Sequence, residues 1–548
     1  MDTTRTSAHA LALGLALVVG VGTPVAAAAA PPAPDVASST LLGGDWGDDD
    51  TREGFEASLE GDWKANKDRG SAYSVAERIG AQDVWGKRAP SGAKLTGEGV
   101  GVALIDTGVT RVEGLTGVGK VVYGPDLSLD SQQDSTRHLD SFGHGTHMAG
   151  LIAGRDTSVA PGKEKDPKLF VGMAPDATLV SVKVGAADGG VDVSQVIAGI
   201  DWVVANRATH NIRVLNLSYG VDSVQPAGID PLALAVENAW HAGIVVVVAA
   251  GNDGEQGATR LTMPAVDPYV LAVGSSDHSG SDKPQDERVG AWTNPGTTER
   301  RPDLLAPGKS VVSLRVPGAL LDREHPEGKV VGDDTGRLFR GTGTSQSAAI
   351  TSGSIALMLQ RNPSLTPDQV KGLLRSSADR LALDNPAQGA GVLDIKGAVE
   401  LLEKGAAPAA TQTWPRSTGL GSLQAARGSS RLVDPVDGAV LTGEVDVFGQ
   451  PWDAHAWAAA STAGTAWSGG TWRGTAWAGD GYVDDAFLGR MWSGRMWSGE
   501  SWSGRMWSGR MWSGATWSGR MWSGGDWSGR MWSGRMWSGR MWSINNSW

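Results

Sequence analysis

Short runs of apolar, often β-branched residues recur through the first four hundred positions, and turn-forming residues separate them. The runs are continuous rather than alternating, which is typical of strands that are buried on both faces of a parallel sheet. They occupy 99–106, 177–184, 212–218, 243–252 and 269–275.

Helical patterns lie between several of these runs, as at 193–208 and 231–243. Strands that alternate with helices predict an α/β fold, with a doubly wound, mostly parallel sheet flanked by helices. In such sheets the functional residues gather where strands end at their carboxyl edge.

Chemically capable side chains follow the predicted strands or begin the predicted helices. Asp106 follows "GVALI", Asn252 follows "IVVVVAAG", and Ser345 lies in "GTGTSQSAA" before an apolar helix. His144 and His147 lie in "GHGTHMAG". Each has an ordinary explanation: a turn cap for Asp106, a turn for Asn252 and a helix N-cap for Ser345. A metal site at the two histidines is disfavoured because the HExxH pattern is absent.

Taken together, the four motifs "ALIDTGV", "GHGTHMAG", "VAAGNDG" and "GTGTSQSAA" bring an acid, an imidazole, an amide and a hydroxyl in that order. Over about residues 75–404 the chain resembles the subtilisin family of serine proteases. Further matches are "GMAPDATLVSVKV", "NLSYG", "DLLAPG" and "GVLDIKGAVELL".

The resemblance implies a role for each of these residues. Ser345 would be the nucleophile, His144 its base and Asp106 the group that orients the imidazole. The Asn252 amide and the Ser345 N–H would bind the oxyanion. His147 would be a packing residue. No cofactor is needed for this chemistry, and the substrates would be polypeptides.

The same resemblance locates substrate contacts. Leu217, Ser218, Tyr219 and Gly220 correspond to a segment that pairs with an extended substrate backbone. Thr262, in "TMPA", stands where relatives often have Gly, which predicts a shallower pocket for the residue before the cleaved bond.

One loop, 155–171, is longer and more charged than its counterpart in the family, where calcium is often bound. Structural calcium held by Asp156, Glu164 and Asp166 is one interpretation of this loop. Solvation of a charged loop is the other, and it is favoured.

The N-terminal residues predict export. The apolar stretch 11–22, followed by Ala-rich sequence, is typical of a signal peptide over 1–30, with a membrane anchor as the alternative. An acidic segment that is a candidate for removal, 31–72, would precede a catalytic domain at 73–404. The mature chain is expected to be secreted and to lack a transmembrane segment.

The chain has no Cys, which excludes disulfides, and its net charge of −12 does not indicate a nucleic-acid partner.

The C-terminal part has a different composition. Residues 405–447 predict a linker, and 448–548 form a Trp-rich tail in which an aromatic recurs at nearly every fifth position from Trp452. This period fits neither a helix nor a single strand, so it predicts a non-helical structure: a β-solenoid, a stack of hairpins or an extended chain. Residues 488–548 carry a net charge of +6.

A basic aromatic ribbon of this kind suits an anionic or sugar-rich surface. The tail, from Trp452 onward, is therefore interpreted as a separate, catalytically silent module that contacts the cell envelope or a polysaccharide. Folding back on the enzyme, or self-assembly, is the alternative. For the whole chain, a secreted endopeptidase is favoured over an inactive subtilisin-like scaffold that binds surfaces through its Trp repeats.

Overall fold

The computed structural model describes residues 63–132, 136–278, 286–405, 411–430, 432, 440–447, 449–478, 481–482, 505–506 and 509–510. The predicted signal peptide and most of the acidic segment lie outside these residues, as does most of the tail. The strands before the tail are β1 Gly101–Asp106, β2 Val121–Asp126, β3 Thr178–Lys183, β4 Ile212–Leu217, β5 Val245–Ala249, β6 Leu271–Asp277, β7 Arg288–Val289, β8 Leu304–Pro307, β9 Val311–Leu314 and β10 Leu338–Gly341.

A mostly parallel sheet forms the centre of the catalytic domain. Its order is β2-β3-β1-β4-β5-β6-β7, and β8 also pairs with β6. All its pairings are parallel except that of β6 with β7. The apolar runs of the sequence correspond to β1, β3, β4, β5 and β6, so the predicted α/β fold class is confirmed.

Helices cover the sheet. They are α1 Ala72–Arg78, α2 Ala81–Trp85, α3 His144–Ala153, α4 Val193–Asn206, α5 Pro231–His241, α6 Leu320–Glu324, α7 Thr344–Arg361, α8 Pro367–Ser377, α9 Ile395–Glu403, α10 Leu423–Ala426 and α11 Ala454–Thr462. α3 packs against α7, and α4 packs against α5.

β2 is a strand that the apolar pattern did not predict, since Gly124 and Pro125 interrupt it. Gly124 is needed there because a Cβ would lie 2.9 Å from the Trp202 ring on α4. The domain also begins before residue 73: Asp68 forms an ion pair with Arg340, 2.5 Å between Oδ2 and the guanidinium.

The described part of the predicted linker is not a loose connection. Arg427 is buried and forms an ion pair with Asp192 at the start of α4, 2.6 Å from Nε to Oδ2. Nor is the tail separate at its beginning, because Trp452, Trp457 and Trp472 are buried in the main hydrophobic core. Composition alone predicts flexibility here, whereas specific partners on the catalytic domain fix the backbone.

Beyond α11 the five-residue period takes the form of antiparallel pairs of very short strands. These are β11 Trp467–Ser468, β12 Thr471–Trp472, β13 Thr475–Ala478 and β14 Gly481–Tyr482, followed by β15 Arg505–Met506 and β16 Gly509–Arg510. Trp467 lies opposite Trp472, and Gly469 and Gly470 both have positive φ in the turn between them, as a tight hairpin requires. Of the three structures that the sequence allowed for the tail, the described repeats form hairpins. The structure of the other repeats stays a prediction.

Candidate active site

Asp106 is the last residue of β1 and is completely buried at the carboxyl edge of the sheet. Its Oδ1 accepts hydrogen bonds from the backbone N–H and the hydroxyl of Thr107, at 2.6 and 3.1 Å. Burial raises the pKa of Asp106 well above its usual value, and the two Thr107 donors oppose that effect.

His144 begins α3 and contacts Asp106 directly. Its Nδ1 lies 3.0 and 3.1 Å from Oδ1 and Oδ2 of Asp106. A carboxylate only accepts, so Nδ1 carries the hydrogen and Nε2 is the basic nitrogen. Burial lowers the pKa of His144 to about 3, which keeps the imidazole neutral and able to take a proton at neutral pH.

Glycine allows this close approach. A Cβ at Gly145 would lie 2.1 Å from the carbonyl oxygen of Gly108 and 2.9 Å from Oδ1 of Asp106. Gly143, just before the helix, has a φ of 110°, a conformation that favours glycine. The glycines of "GHGTH" are therefore required by the geometry of the Asp106–His144 pair.

Asp140 is a buried residue of this site that sequence reasoning missed. Its two oxygens accept hydrogen bonds from the backbone N–H groups of Gly143 and Thr146, each at 2.7 Å. Oδ1 also lies 2.8 Å from the hydroxyl of Thr107. Asp140 thus fixes the first turn of α3 and links it to the loop after Asp106. An Asp just before a predicted helix is typical of a capping residue, and this position could have indicated its role.

Ser345 lies in the first turn of α7 and is buried. Its Oγ has no hydrogen-bond partner among the described residues. The preceding residue, Thr344, donates its backbone N–H and its hydroxyl to Oδ1 of Asn252, both at 2.9 Å. Thr344 thus holds the side chain of Asn252 at the start of α7, next to Ser345.

The predicted substrate segment is attached to the same helix. The hydroxyl of Ser218 donates to the carbonyl oxygen of Ser345 at 3.4 Å, and the side chain of Asn216 connects Ser218 to Ser352 on α7. Leu217, Ser218 and Tyr219 are buried.

Thr262 is brought close to this segment by strand-like pairing. Val221 and Met263 exchange backbone hydrogen bonds, both at 2.8 Å. Thr262 is buried, and its hydroxyl has no hydrogen-bond partner among the described residues. The structure therefore brings 217–221 and 262–263 together beside the first turn of α7.

A model of the subtilase family matches residues 97–399. The chain belongs to the subtilase family. It is a serine-type endopeptidase, as the sequence predicted.

Individual relatives share about a third of the aligned residues with this subtilase. It is 35% identical over 318 residues to serine protease AprX of Bacillus subtilis strain 168, covering 56% of this chain and 68% of AprX. It is 30% identical over 311 residues to subtilisin E of the same strain, covering 56% and 67%. It is 31% identical over 304 residues to subtilisin BL of Lederbergia lenta, covering 56% and 92%.

A solved structure is also similar to part of the chain. It is described as the crystal structure of a cold adapted subtilisin-like serine proteinase, and it is 30% identical with a TM-score of 0.40. The match covers 54% of this chain and 89% of the solved one.

The three carboxylates that suggested calcium do not fit such a site in this subtilase. Asp156 is bound by both ends of the Arg337 guanidinium, at 2.6 Å each. Glu164 lies within 4 Å of Lys94 and Arg155, at 3.7 and 3.5 Å. Asp166 accepts a hydrogen bond from the backbone N–H of residue 168. No group of three or more His, Asp or Glu side chains in the described ranges is arranged to hold a metal ion.

Proposed function

We propose that this subtilase cleaves peptide bonds through an acyl-enzyme on Ser345, with His144 as the base and Asp106 as the group that orients it. The observation that carries the proposal is the direct hydrogen bond between His144 Nδ1 and the Asp106 carboxylate at the carboxyl edge of the sheet. α7, which presents Ser345, packs against α3, which presents His144.

In the first step Nε2 of His144 takes the proton of the Ser345 hydroxyl while Oγ forms a bond to the substrate carbonyl carbon. The carbonyl oxygen becomes an oxyanion, which accepts hydrogen bonds from Asn252 Nδ2 and the Ser345 backbone N–H. His144 then gives its proton to the leaving amine, and the C–N bond breaks. A water molecule then attacks the acyl carbon while Nε2 of His144 takes its proton. The bond from the acyl carbon to Oγ breaks, His144 returns the proton to Oγ, and the product acid leaves.

The segment Leu217–Gly220 would bind the substrate backbone by adding it as a further strand, which tolerates many substrate side chains. Thr262 would shorten the pocket for the side chain before the cleaved bond. The attachment of Ser218 to the carbonyl oxygen of Ser345 supports this assignment, because it holds the segment beside the nucleophile.

The first experiment separates an active protease from an inactive scaffold. Ser345→Ala should abolish casein hydrolysis, a loss of at least about 10⁴-fold, and should prevent covalent labelling by a serine-directed phosphonate. Ser354→Ala is the matched control, because it removes a buried hydroxyl from the same helix that donates only to the carbonyl oxygen of Ile350. Casein hydrolysis by Ser345→Ala at the rate of the control would contradict the proposal.

We further propose that the enzyme is exported and acts on polypeptides outside the cell. The apolar stretch 11–22 and the Ala-rich residues after it support this. Among the helices that the structure describes, none is long and apolar enough to cross a membrane. N-terminal sequencing of the enzyme from culture medium tests the proposal; an intracellular enzyme that still begins at residue 1 would contradict it.

Attachment to the envelope or to polysaccharide is proposed only for the basic residues 488–548, since Trp452, Trp457, Trp467 and Trp472 are buried. The charge of +6 on that segment supports it. Binding of the full-length enzyme to washed cell-wall material, weakened by salt, should disappear when 488–548 are removed.

A further inference from the structure

Residues 411–430, here called the strap, cross the surface of the catalytic domain along α5. The backbone N–H of Ser417 donates to both carboxylate oxygens of Glu237, at 2.9 and 3.0 Å. The guanidinium of Arg416 donates to Oδ1 of Asn238 at 2.6 Å. The strap is therefore held by specific polar contacts over much of its length.

Farther along, the strap meets the loop that follows β4. Gln225 and Ser422 exchange two hydrogen bonds, both at 3.0 Å. The backbone N–H of Val224 donates to the carbonyl oxygen of Ala425. The loop that continues from the substrate segment 217–220 thus lies directly against the strap.

Arg427, at the end of α10, is the most buried charged residue of the strap, with a side-chain exposure of 1%. Besides Asp192, its guanidinium donates to the carbonyl oxygens of Gly443 and Val445. Asp192 is the N-cap of α4, which follows β3. Arg427 therefore anchors the strap to the start of α4, while neighbouring strap residues contact the loop after β4.

The next residues of the strap contact Asp222, two positions beyond Gly220. The backbone N–H of Ser429 donates to Oδ1 of Asp222 at 2.9 Å, and a Cβ at Gly428 would lie 2.3 Å from that oxygen. Burial, together with the charges of Asp192 and Asp230, raises the pKa of Tyr219, and Arg427 opposes this.

We propose that Arg427 is a positioning residue that holds the segment 217–220 in its substrate-binding conformation, so that the strap takes part in recognising extended peptide chains. This inference rests on the proposed role of 217–220 in substrate binding. Without Arg427 the buried Asp192 carboxylate loses its counter-ion, and the strap loses the anchor beside the residues that contact the loop 221–225.

The experiment compares two substrates of different length in the full chain. One is a peptide with five residues before the cleaved bond, and the other is a single-residue ester, which lacks the extended backbone that would pair with the segment. For Arg427→Met we expect kcat/KM on the long peptide to fall about tenfold, mainly through KM, and kcat/KM on the ester to stay within about twofold of the unaltered enzyme. Arg473→Met is the matched control, since it removes a tail arginine that pairs with Asp446 and stacks on Trp452; both substrates should be unaffected.

A rescue variant separates positioning from simple loss of stability. Asp192→Asn retains an N-cap residue and removes the unpaired charge, so the double variant with Arg427→Met should fold even if the single variant does not. Its defect should still be confined to the long peptide. Equal losses on both substrates, or no loss on either, in the variant that folds would overturn the inference. Failure of Ser345→Ala to abolish ester and peptide hydrolysis would instead overturn the proposed function.

Discussion

The indole N–H of Trp457 donates to Oδ2 of Asp201 over 2.9 Å, although the two residues are 256 positions apart. The indole of Trp472 donates to the same oxygen at 2.9 Å, and the hydroxyl of Ser461 donates to Oδ1 at 2.6 Å. One buried carboxylate on α4 therefore binds three donors from the beginning of the Trp-rich tail. This arrangement makes the first repeats part of the catalytic domain.

Replacing that carboxylate should be costly. Asp201→Ala leaves the three buried donors without their acceptor, and we expect a loss of about 3 kcal/mol in the free energy of unfolding. Asp201→Asn keeps one acceptor oxygen and should lose less. Urea denaturation of both variants in the Ser345→Ala background, which avoids self-digestion, measures the difference. Equal stability of Asp201→Ala and the parent would contradict the docking of the repeats.

Two truncations locate the end of the catalytic unit. A chain ending at 478 keeps Trp457, Trp472 and Arg427, so its melting temperature and its kcat/KM on a short peptide should be nearly unchanged. A chain ending at 404 loses all three and should melt lower by roughly 10 °C or more, since each buried Trp contributes several kcal/mol. If the chain ending at 404 were as stable and active as the longer one, the tail would be a separate module throughout, as composition alone suggests.

Local sequence patterns predicted the parts of the fold that depend on local chemistry. The continuous apolar runs identify β1 and β4 because both faces of these strands are buried. Such strands need apolar residues at successive positions rather than apolar and polar residues in alternation. The contact of Asp106 with His144 follows from their positions in two recognisable motifs. Asp201, in contrast, carries no signal of its own, because its partners are hundreds of residues away.

The same limit explains the two errors on the C-terminal side of the catalytic domain. Gly-, Ala- and Ser-rich sequence predicts a linker, but Arg427 folds the strap onto Asp192, a partner that no periodicity indicates. The five-residue period predicted that the tail is not helical, but Trp457 lies on a helix. α11 forms because five of its nine residues are Ala and Asp453 caps it.

The oxyanion contact predicts a specific kinetic defect. Asn252→Ala should lower kcat by about 10²–10³-fold while KM changes little, because the amide donates to the oxygen only as negative charge develops there. Steady-state kinetics on a soluble peptide measures both constants. A rise in KM at unchanged kcat would assign Asn252 to substrate binding or to the turn after β5.

His147 should make the fold sensitive to acid. Burial lowers its pKa to about 3, while the unfolded chain takes up the proton near the ordinary value of 6.5. The stabilisation is therefore complete above about pH 6.5 and is lost as the pH falls from there toward 3. Between pH 7 and pH 5 this amounts to about 2 kcal/mol.

The variant His147→Gln tests this contribution, because its amide can still donate to the carbonyl oxygen of Phe339, as Nε2 of His147 does at 3.2 Å. Urea denaturation at pH 7 and pH 5 should show a smaller acid-induced loss for His147→Gln than for its Ser345→Ala parent. His455→Gln, a change at an exposed histidine on α11, is the control and should behave as the parent. The same loss in His147→Gln as in the parent would show that other groups cause the acid sensitivity.

Arg337 and Asp156 predict how the loop 155–171 is stabilised. Asp156 is buried, and besides the two contacts with Arg337 its Oδ2 accepts the backbone N–H of Phe170 at 2.7 Å. A guanidinium thus neutralises the carboxylate that a calcium ion would otherwise need. Arg337→Met leaves that charge buried and unpaired, and we expect a loss of about 3–5 kcal/mol in the free energy of unfolding. The double variant with Asp156→Asn should recover much of that lost stability.

A second experiment tests calcium directly. Excess chelator should leave the melting temperature of the unaltered enzyme unchanged. If chelator lowered the melting temperature, added calcium restored it and Asp156→Asn abolished the effect, Asp156 would bind the metal after all.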